Sequence, residues 1–313
     1  MAVFITGAGG FIGQALVTAL AEQGKEVLAF DFNPPKEEVL SRWKGKAEFV
    51  QGDIRDAAKI LDLVKASGNK DPIIHLAAML TAGCDRDPRL AIEVNLGGTF
   101  NILEGALQNG KRPVILASTI GVYGRGLPQP ITEEMPLEPD GWYGATKQSA
   151  EQMGLLYARR QGLDFRAGRF AAVTGPNRVA QGSASLFTSL IPEKAARGEH
   201  YDIEVSEDTS YPVVYIRDAV EALLKLMEAP AAPSRIYNFA SGNVVVKKMV
   251  SRVKELIPSA SFAYTPVEDI MAVVSAYKEW TIDCSRAERE LGWKPRFGVE
   301  AMVEDIIRVI RSQ

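Results

Sequence analysis

The chain has 313 residues, 46% hydrophobic and 24% charged, and its 36 basic against 39 acidic side chains leave a net charge of −3. That length buries a sizeable core and allows two domains, while the near-even balance gives no electrostatic reason to expect nucleic acid or an anionic membrane as partner. Two distant cysteines, two histidines, no apolar run near the roughly 20 residues of a membrane span, and a start that runs straight from Met1 into "AVFITG" point to a cytoplasmic, reduced protein with no zinc chemistry and no metal.

Taken in order, "AVFITG" reads as a short buried strand and "GFIGQALVTALAEQG" as a helix ending on Gly24. "EVLAFD" and "AEFVQGD" are further strands, followed by a helix from about Asp56, whose carboxylate can cap it, to Ser67. "PIIHLA" is a fourth strand, "LAIEVNLGGTFNILEGALQNG" a long helix closing on Asn109 and Gly110, and "RPVILAS" a fifth strand. A helix over about 142–162 leads to the strand "DFRAGRF". This alternation predicts an α/β fold, a Rossmann-like doubly wound parallel sheet with helices on both faces. Beyond residue 171 the rhythm changes to Gly-, Pro- and Ser-rich connections between shorter elements, among them "YPVVYI", "RDAVEALLKLMEA" and "RIYNFA". Residues 1–170 therefore read as a nucleotide-binding domain, and 171–313 as mostly a smaller α/β substrate domain whose boundary can interleave with the first.

"ITGAGGFIG" sets Gly7, Gly10 and Gly13 between a strand and a helix. Glycine permits the tight turn and the close approach of backbone to a pyrophosphate, and the helix N-terminus supplies amide donors. Asp31 ends the second strand eighteen residues after Gly13, where a carboxylate accepts from an adenosine ribose and repels a ribose phosphate, favouring NAD over NADP. In "GDIRD", Asp53 and Ile54 are placed to reach an adenine, although such Gly-Asp turns are also common structural features. His75 reads as a packed strand-end residue.

Tyr143 and Lys147 stand four apart at a helix start, so both project from one face. An ammonium beside a phenol favours the phenolate, which can take a proton from a substrate hydroxyl while the carbon releases hydride to nicotinamide. Together with the hydroxyl turn "ASTIGVYG", this set resembles that of the extended short-chain dehydrogenase/reductase family, the sugar-nucleotide epimerases, dehydratases and related dehydrogenases. The resemblance runs through "TGAGGFIG", "GDIRD", "HLAA", "VNLGGTFNILEGA", "YGATK", "YIRDAVEALL" and "DCSRAERELGWKPRFGVEAMVEDI". It implies catalytic roles for Thr119, Tyr143 and Lys147, with Thr119 binding the reacting oxygen because it precedes Tyr123 by four. It also puts Phe11, Ile12, Leu76, Ala77, Ala78, Asn95, Ser118, Tyr143 and Lys147 beside the cofactor, and implies a homodimer through the helices near 90–110 and 142–162.

Within the family, the asparagine usual before the V-x-G-P turn of nucleotide-sugar epimerases is Ala172 here, and the arginine of their Arg-x-Gly-Asp-type run is absent from "MAVVSAYKEWTIDCSRA". "LAAMLTAGCDRDPRLAIEVN", "STIGVYG" and "SEDTSYPVVYIRDAVEALLKLMEAP" are instead similar to the threonine-dehydrogenase branch. That likeness implies a small polar secondary alcohol as substrate, an amino acid such as threonine or a sugar acid, bound by Thr81, Thr119, Gly182, Ser183 and Trp280. A sugar or nucleotide-sugar epimerase and a non-catalytic NAD-binding protein are the alternatives. Arg178 and Arg169 are candidates to pair with a substrate carboxylate, Arg169 more as a structural residue. Trp280 also fits ordinary core, and Tyr123 packing against the cleft.

Overall fold

A computed structural model describes residues 2–68, 70–178, 183–230 and 232–313. Twelve strands occur among them: β1 (Val3–Thr6), β2 (Val27–Asp31), β3 (Ala47–Gln51), β4 (Ile73–His75), β5 (Val114–Thr119), β6 (Phe165–Phe170), β7 (Ala172–Thr174), β8 (Tyr201–Ile203), β9 (Ser210–Tyr215), β10 (Ile236–Phe239), β11 (Gly242–Val245) and β12 (Phe262–Tyr264). Seven form one parallel sheet in the order β10-β6-β5-β4-β1-β2-β3. Its central strands are buried along their whole length, as the apolar runs "VFIT" and "IIH" require of strands covered by helices on both faces. Two separate apolar clusters, one on each side of the sheet, form the core.

The order of the sheet reverses at β1, whose neighbours are β2 and β4. Loops leaving those strands diverge there and open a crevice at their carboxyl ends, the place where open α/β sheets bind ligands. The second part of the chain builds a three-stranded sheet, β11-β9-β7, and a parallel pair, β12-β8. The strand "RIYNFA", beyond residue 170, returns to the large sheet as β10 beside β6. Among the described residues no helix is long and apolar enough to cross a membrane.

Local signals act as read. Asp56 caps the helix Ala57–Ala66 by accepting from the Lys59 amide at 3.0 Å. The long helix expected over 90–110 is not uniform: Ile92–Gly97 winds as a π-helix between Pro88–Ala91 and Gly98–Gln108. The widened turn carries Asn95 inward to bond the loop after β4, and Gly97 and Gly98 follow directly.

Candidate active site

The glycine loop fits a pyrophosphate. Gly7 lies at φ +73°, and a Cβ there would stand 2.5 Å from the Ala77 amide nitrogen; one on Gly13 would stand 2.1 Å from the Gly7 carbonyl oxygen. Both positions therefore exclude side chains, and the loop folds onto the chain leaving β4. The helix Phe11–Glu22 that follows has no side-chain cap and no acid in its first turn, which leaves its N-terminal donors and partial positive charge for an anion. Leu76, Ala77 and Ala78, on the chain leaving β4, are half-buried.

At the end of β2, Asp31 accepts from the Gly9 and Asn33 amides, each at 2.9 Å. Burial pushes its carboxyl above the ordinary value, against those hydrogen bonds. Asp53 is engaged by Arg55, whose hydrogen bonds hold the carboxyl below its usual range, and Arg55 reaches on to Glu93 at 3.1 Å. Ile54 buries its side chain against Gly98, so that its main chain is the part left to meet a base.

Beneath the crevice, buried His75 bonds Thr6 Oγ1 at 2.7 Å and Thr99 Oγ1 at 3.1 Å, a packed residue as read. Burial, aided by nearby Lys147, pushes its pKa down to about 3. The folded protein thus resists protonating a group that titrates near 6.5 when unfolded, so this contribution is complete above pH 6.5 and is lost as pH falls toward 3. Urea midpoints should fall below pH 6.5, by up to about 1.4 kcal/mol per pH unit from this group alone, and His75→Gln should flatten that slope. Asn95 accepts from the Met79 amide at 2.7 Å and donates to Met79 oxygen and to Thr146 Oγ1 at 2.9 Å. Its amide is spent on tying the β4 loop to the helix Trp142–Gln161, a positioning role within the expected cofactor environment.

Thr119 ends β5 and caps a 3₁₀ turn, its Oγ1 accepting from the Gly121 amide at 3.1 Å. The helix Trp142–Gln161 abuts that turn because of Gly144: a Cβ there would stand 2.1 Å from Gly121 oxygen. Tyr143 and Lys147 flank this contact on one helix face, and Cys84 is an electrostatic neighbour of both. Among the described residues neither the Tyr143 hydroxyl nor Lys147 Nζ has a hydrogen-bond partner, although Lys147 is buried. The expected lowering of the tyrosine by the lysine is not found, since Lys147 is not among the groups that shift it. Burial, reinforced by Cys84 and Tyr277, pushes Tyr143 above the ordinary phenol value. Lys147 is itself pushed down by burial, to about 8, with Glu151 opposing the change.

The other residues of "ASTIGVYG" face elsewhere. Ser118 donates to Glu151 Oε1 at 2.5 Å, and this acid, fully buried, pairs with Arg169 at 2.6 Å. Arg169 also donates to Tyr123 Oη at 2.9 Å, and Tyr123 donates to Asn238. Ser118, placed beside the cofactor by resemblance, Arg169, weighed for a substrate carboxylate, and Tyr123, weighed for the cleft, are thus joined in one interior network.

Of the residues expected near a substrate, Thr81 is exposed at the start of the helix Thr81–Arg86, which packs near Gly141. Arg178 donates to Ser183 Oγ at 2.7 Å, to Ser185 Oγ at 3.1 Å and to Ser185 oxygen at 3.2 Å. It has no acidic partner among the described residues, and burial lowers it to about 10. Gly182 lies outside the described residues. Trp280 is buried between Tyr277, 4.7 Å away between ring centres, and Tyr123, at 6.3 Å. Two residues missed by sequence reasoning complete this wall. Tyr277 Oη approaches within 3.8 Å of the ideal Gly121 Cβ position, and its ring lies 5.1 Å from that of Tyr211, the electrostatic neighbour of Arg178. Aromatic rings thus lead from the Thr119 turn toward Arg178. Only the clustering of tyrosine and tryptophan in "SAYKEW" hinted at it.

Comparison with known proteins agrees with this architecture. The profile of the NAD dependent epimerase/dehydratase family matches residues 3–240. The mitochondrial L-threonine 3-dehydrogenase of Bos taurus is 28% identical over 99% of this chain and 83% of its own length. A crystal structure of L-threonine dehydrogenase from Phytophthora infestans superposes with a TM-score of 0.90 at 27% identity, covering 100% of this chain and 99% of that one. The UDP-glucose 4-epimerase of Thermotoga maritima, solved with UDP-glucose, gives 0.86 at 26% identity over 100% and 99%. The chain therefore belongs to the NAD dependent epimerase/dehydratase family, the extended short-chain dehydrogenases/reductases, and is an NAD-dependent enzyme.

Proposed function

We propose that the enzyme oxidises a small secondary alcohol that carries a carboxylate, with L-threonine the leading candidate. The observation that carries this reading is Arg178, a guanidinium held by serine oxygens with no carboxylate of its own, at the far end of the aromatic wall that begins beside Thr119. Such a fork suits a substrate carboxylate. The names of the bovine and Phytophthora relatives support the same choice.

In this reading Gly7, Gly10, Phe11, Ile12 and Gly13 hold the pyrophosphate, Asp31 the adenosine ribose, and Asp53 and Ile54 the adenine, while Leu76, Ala77 and Ala78 wall the nicotinamide half. NAD, when bound, would supply the hydride acceptor and, when oxidised, a positive charge. Thr119 hydrogen-bonds the substrate hydroxyl, Tyr143 takes its proton, and Lys147 stabilises the phenolate that must form first. The carbon–hydrogen bond breaks as hydride, the oxygen–hydrogen bond breaks toward Tyr143, and the products are a ketone, NADH and a proton. Ser183 would lie over the substrate, with Thr81 at its polar end and Trp280 behind the wall. Residues 1–170 serve the cofactor and 171–313 mostly the substrate.

Incubating the protein with NAD and a panel of L-threonine, other hydroxy amino acids and sugar acids tests this: NADH absorbance should rise for a carboxylate-bearing member, and silence across the panel would refute it. Arg178→Met should raise KM for that substrate roughly 10- to 100-fold, the 1.5–3 kcal/mol of a charged hydrogen bond, with kcat changed much less. A second reading, favoured by the likeness to the Thermotoga epimerase, is a sugar or nucleotide-sugar epimerase, which predicts tightly held NAD and isomerisation without net NADH. We further propose a cytoplasmic homodimer joined through the helices Gly98–Gln108 and Trp142–Gln161, which expose Phe100 and Leu156. The mass in solution checks the dimer.

A further inference from the structure

The Ser118, Glu151 and Arg169 group lies directly under the reacting residues and belongs to none of the binding roles above. Its members come from three different elements. Ser118 is the residue before Thr119 on β5, and Arg169 is its register partner on β6. Glu151 is one helical turn beyond Lys147, which is itself one turn beyond Tyr143. Glu151 receives Ser118 Oγ at 2.5 Å and Arg169 Nε and Nη2 at 3.0 and 2.6 Å, and all three side chains are buried. Removing such an ion pair from water is expensive, and apolar residues of similar volume usually serve stability as well or better. A buried pair at this position is therefore better explained by what it orients than by what it stabilises.

We propose that Glu151 is a positioning residue that locks the catalytic helix to β5, setting Tyr143 against Thr119 and keeping the Lys147 side chain as an ammonium ion. This inference rests on the roles proposed above for those three residues. The electrostatics agree in sign. Burial drives Lys147 toward its neutral form, and Glu151 is the largest opposing influence. The other titratable groups around Lys147 are Cys84 and neutral His75. Those around Glu151 are Arg169 and, beyond it, Tyr123 and Glu133, whose buried side chain pairs with Arg286. Neither Ser118 nor Tyr123 carries charge at neutral pH, and Glu133 is not among the groups that act on Lys147, so no second acid takes the place of Glu151 beside it.

The test reads Lys147 itself. With ¹³C-methylated or ¹³Cε-labelled lysines, the Lys147 signal is identified by its disappearance in Lys147→Met, and its titration is followed in the wild-type protein and in Glu151→Gln. The midpoint should fall by about one pH unit or more in the variant. Glu151→Gln strands a buried guanidinium, so Glu151→Gln/Arg169→Met is titrated in parallel, and a fall in the same direction, made smaller by loss of the Arg169 charge, is expected there. An unchanged midpoint in either folded variant, or failure of both to fold, would overturn the proposal and leave the pair a purely structural feature. The titration needs no substrate, so a protein inactive on the whole alcohol panel would sink the proposed reaction without deciding this point. In an active protein, the alkaline limb of kcat should move to lower pH in Glu151→Gln, which mere loosening of the helix would not produce.

Discussion

Tyr143→Phe is expected to lower kcat by about 10²- to 10⁴-fold, the range contributed by a positioned general base, while leaving NAD affinity and thermal stability nearly unchanged. The hydroxyl makes no hydrogen bond among the described residues, so its removal strands no buried partner. The ring, half-buried on the catalytic helix, is retained. Because burial raises the phenol above its ordinary value, activity of the wild type should climb with pH through the neutral range, and the residual activity of Tyr143→Phe should not. Lys147 sets the upper bound of this climb, since its ammonium, lowered to about 8, begins to lose its proton over the same range. Steady-state rates from about pH 6 to pH 10, spanning the reference tyrosine value, check both statements. A variant that retains wild-type kcat removes Tyr143 from the chemistry.

Gly144→Ala should be nearly as damaging, through geometry alone. The added methyl group would meet Gly121 oxygen at 2.1 Å and Pro139 Cβ at 2.8 Å, and neither a carbonyl nor a ring carbon can rotate away. The helix must then move off the turn that holds Thr119. Overpacking of this kind costs about 1–3 kcal/mol of stability, and a displacement near 1 Å between reacting groups costs on the order of 10²-fold in rate. The expected result is a lower melting temperature together with a fall in kcat much larger than the change in NAD affinity. A variant with normal kcat would show that the contact between Gly144 and Gly121 does not set the spacing of the site.

The large sheet was legible in the sequence because parallel strands covered on both faces appear as short apolar runs, and one helix between them, Ala57–Ala66, carries a readable cap in Asp56. The glycine loop was legible because only glycine satisfies Gly7 and Gly13 in that backbone path. The same double burial hid the orientation of β5. "VILAST" has no polar alternation to show which of Ser118 and Thr119 looks into the crevice, and only the offset from Tyr123 favoured Thr119. Glu151 was findable in principle, as the third member of a Tyr143, Lys147, Glu151 line at helical spacing. Its buried partner Arg169 sits inside the otherwise apolar strand "FRAGRF". The π-helical turn left no mark in the apolar periodicity beyond the glycine pair after it. The raised phenol of Tyr143 could not be read at all, because a spacing of four shows that two groups share a face and says nothing of how dry that face is.

Hydride transfer from the alcohol carbon is the central claim, and its most direct measurement uses L-threonine deuterated at C3 with unlabelled NAD. The account predicts that one deuterium appears in the recovered reduced cofactor in the wild-type protein, at a rate cut about 10²- to 10⁴-fold by Tyr143→Phe. Deuterium that never reaches free cofactor, with a sugar or sugar nucleotide isomerised instead and no net reduction, would contradict it.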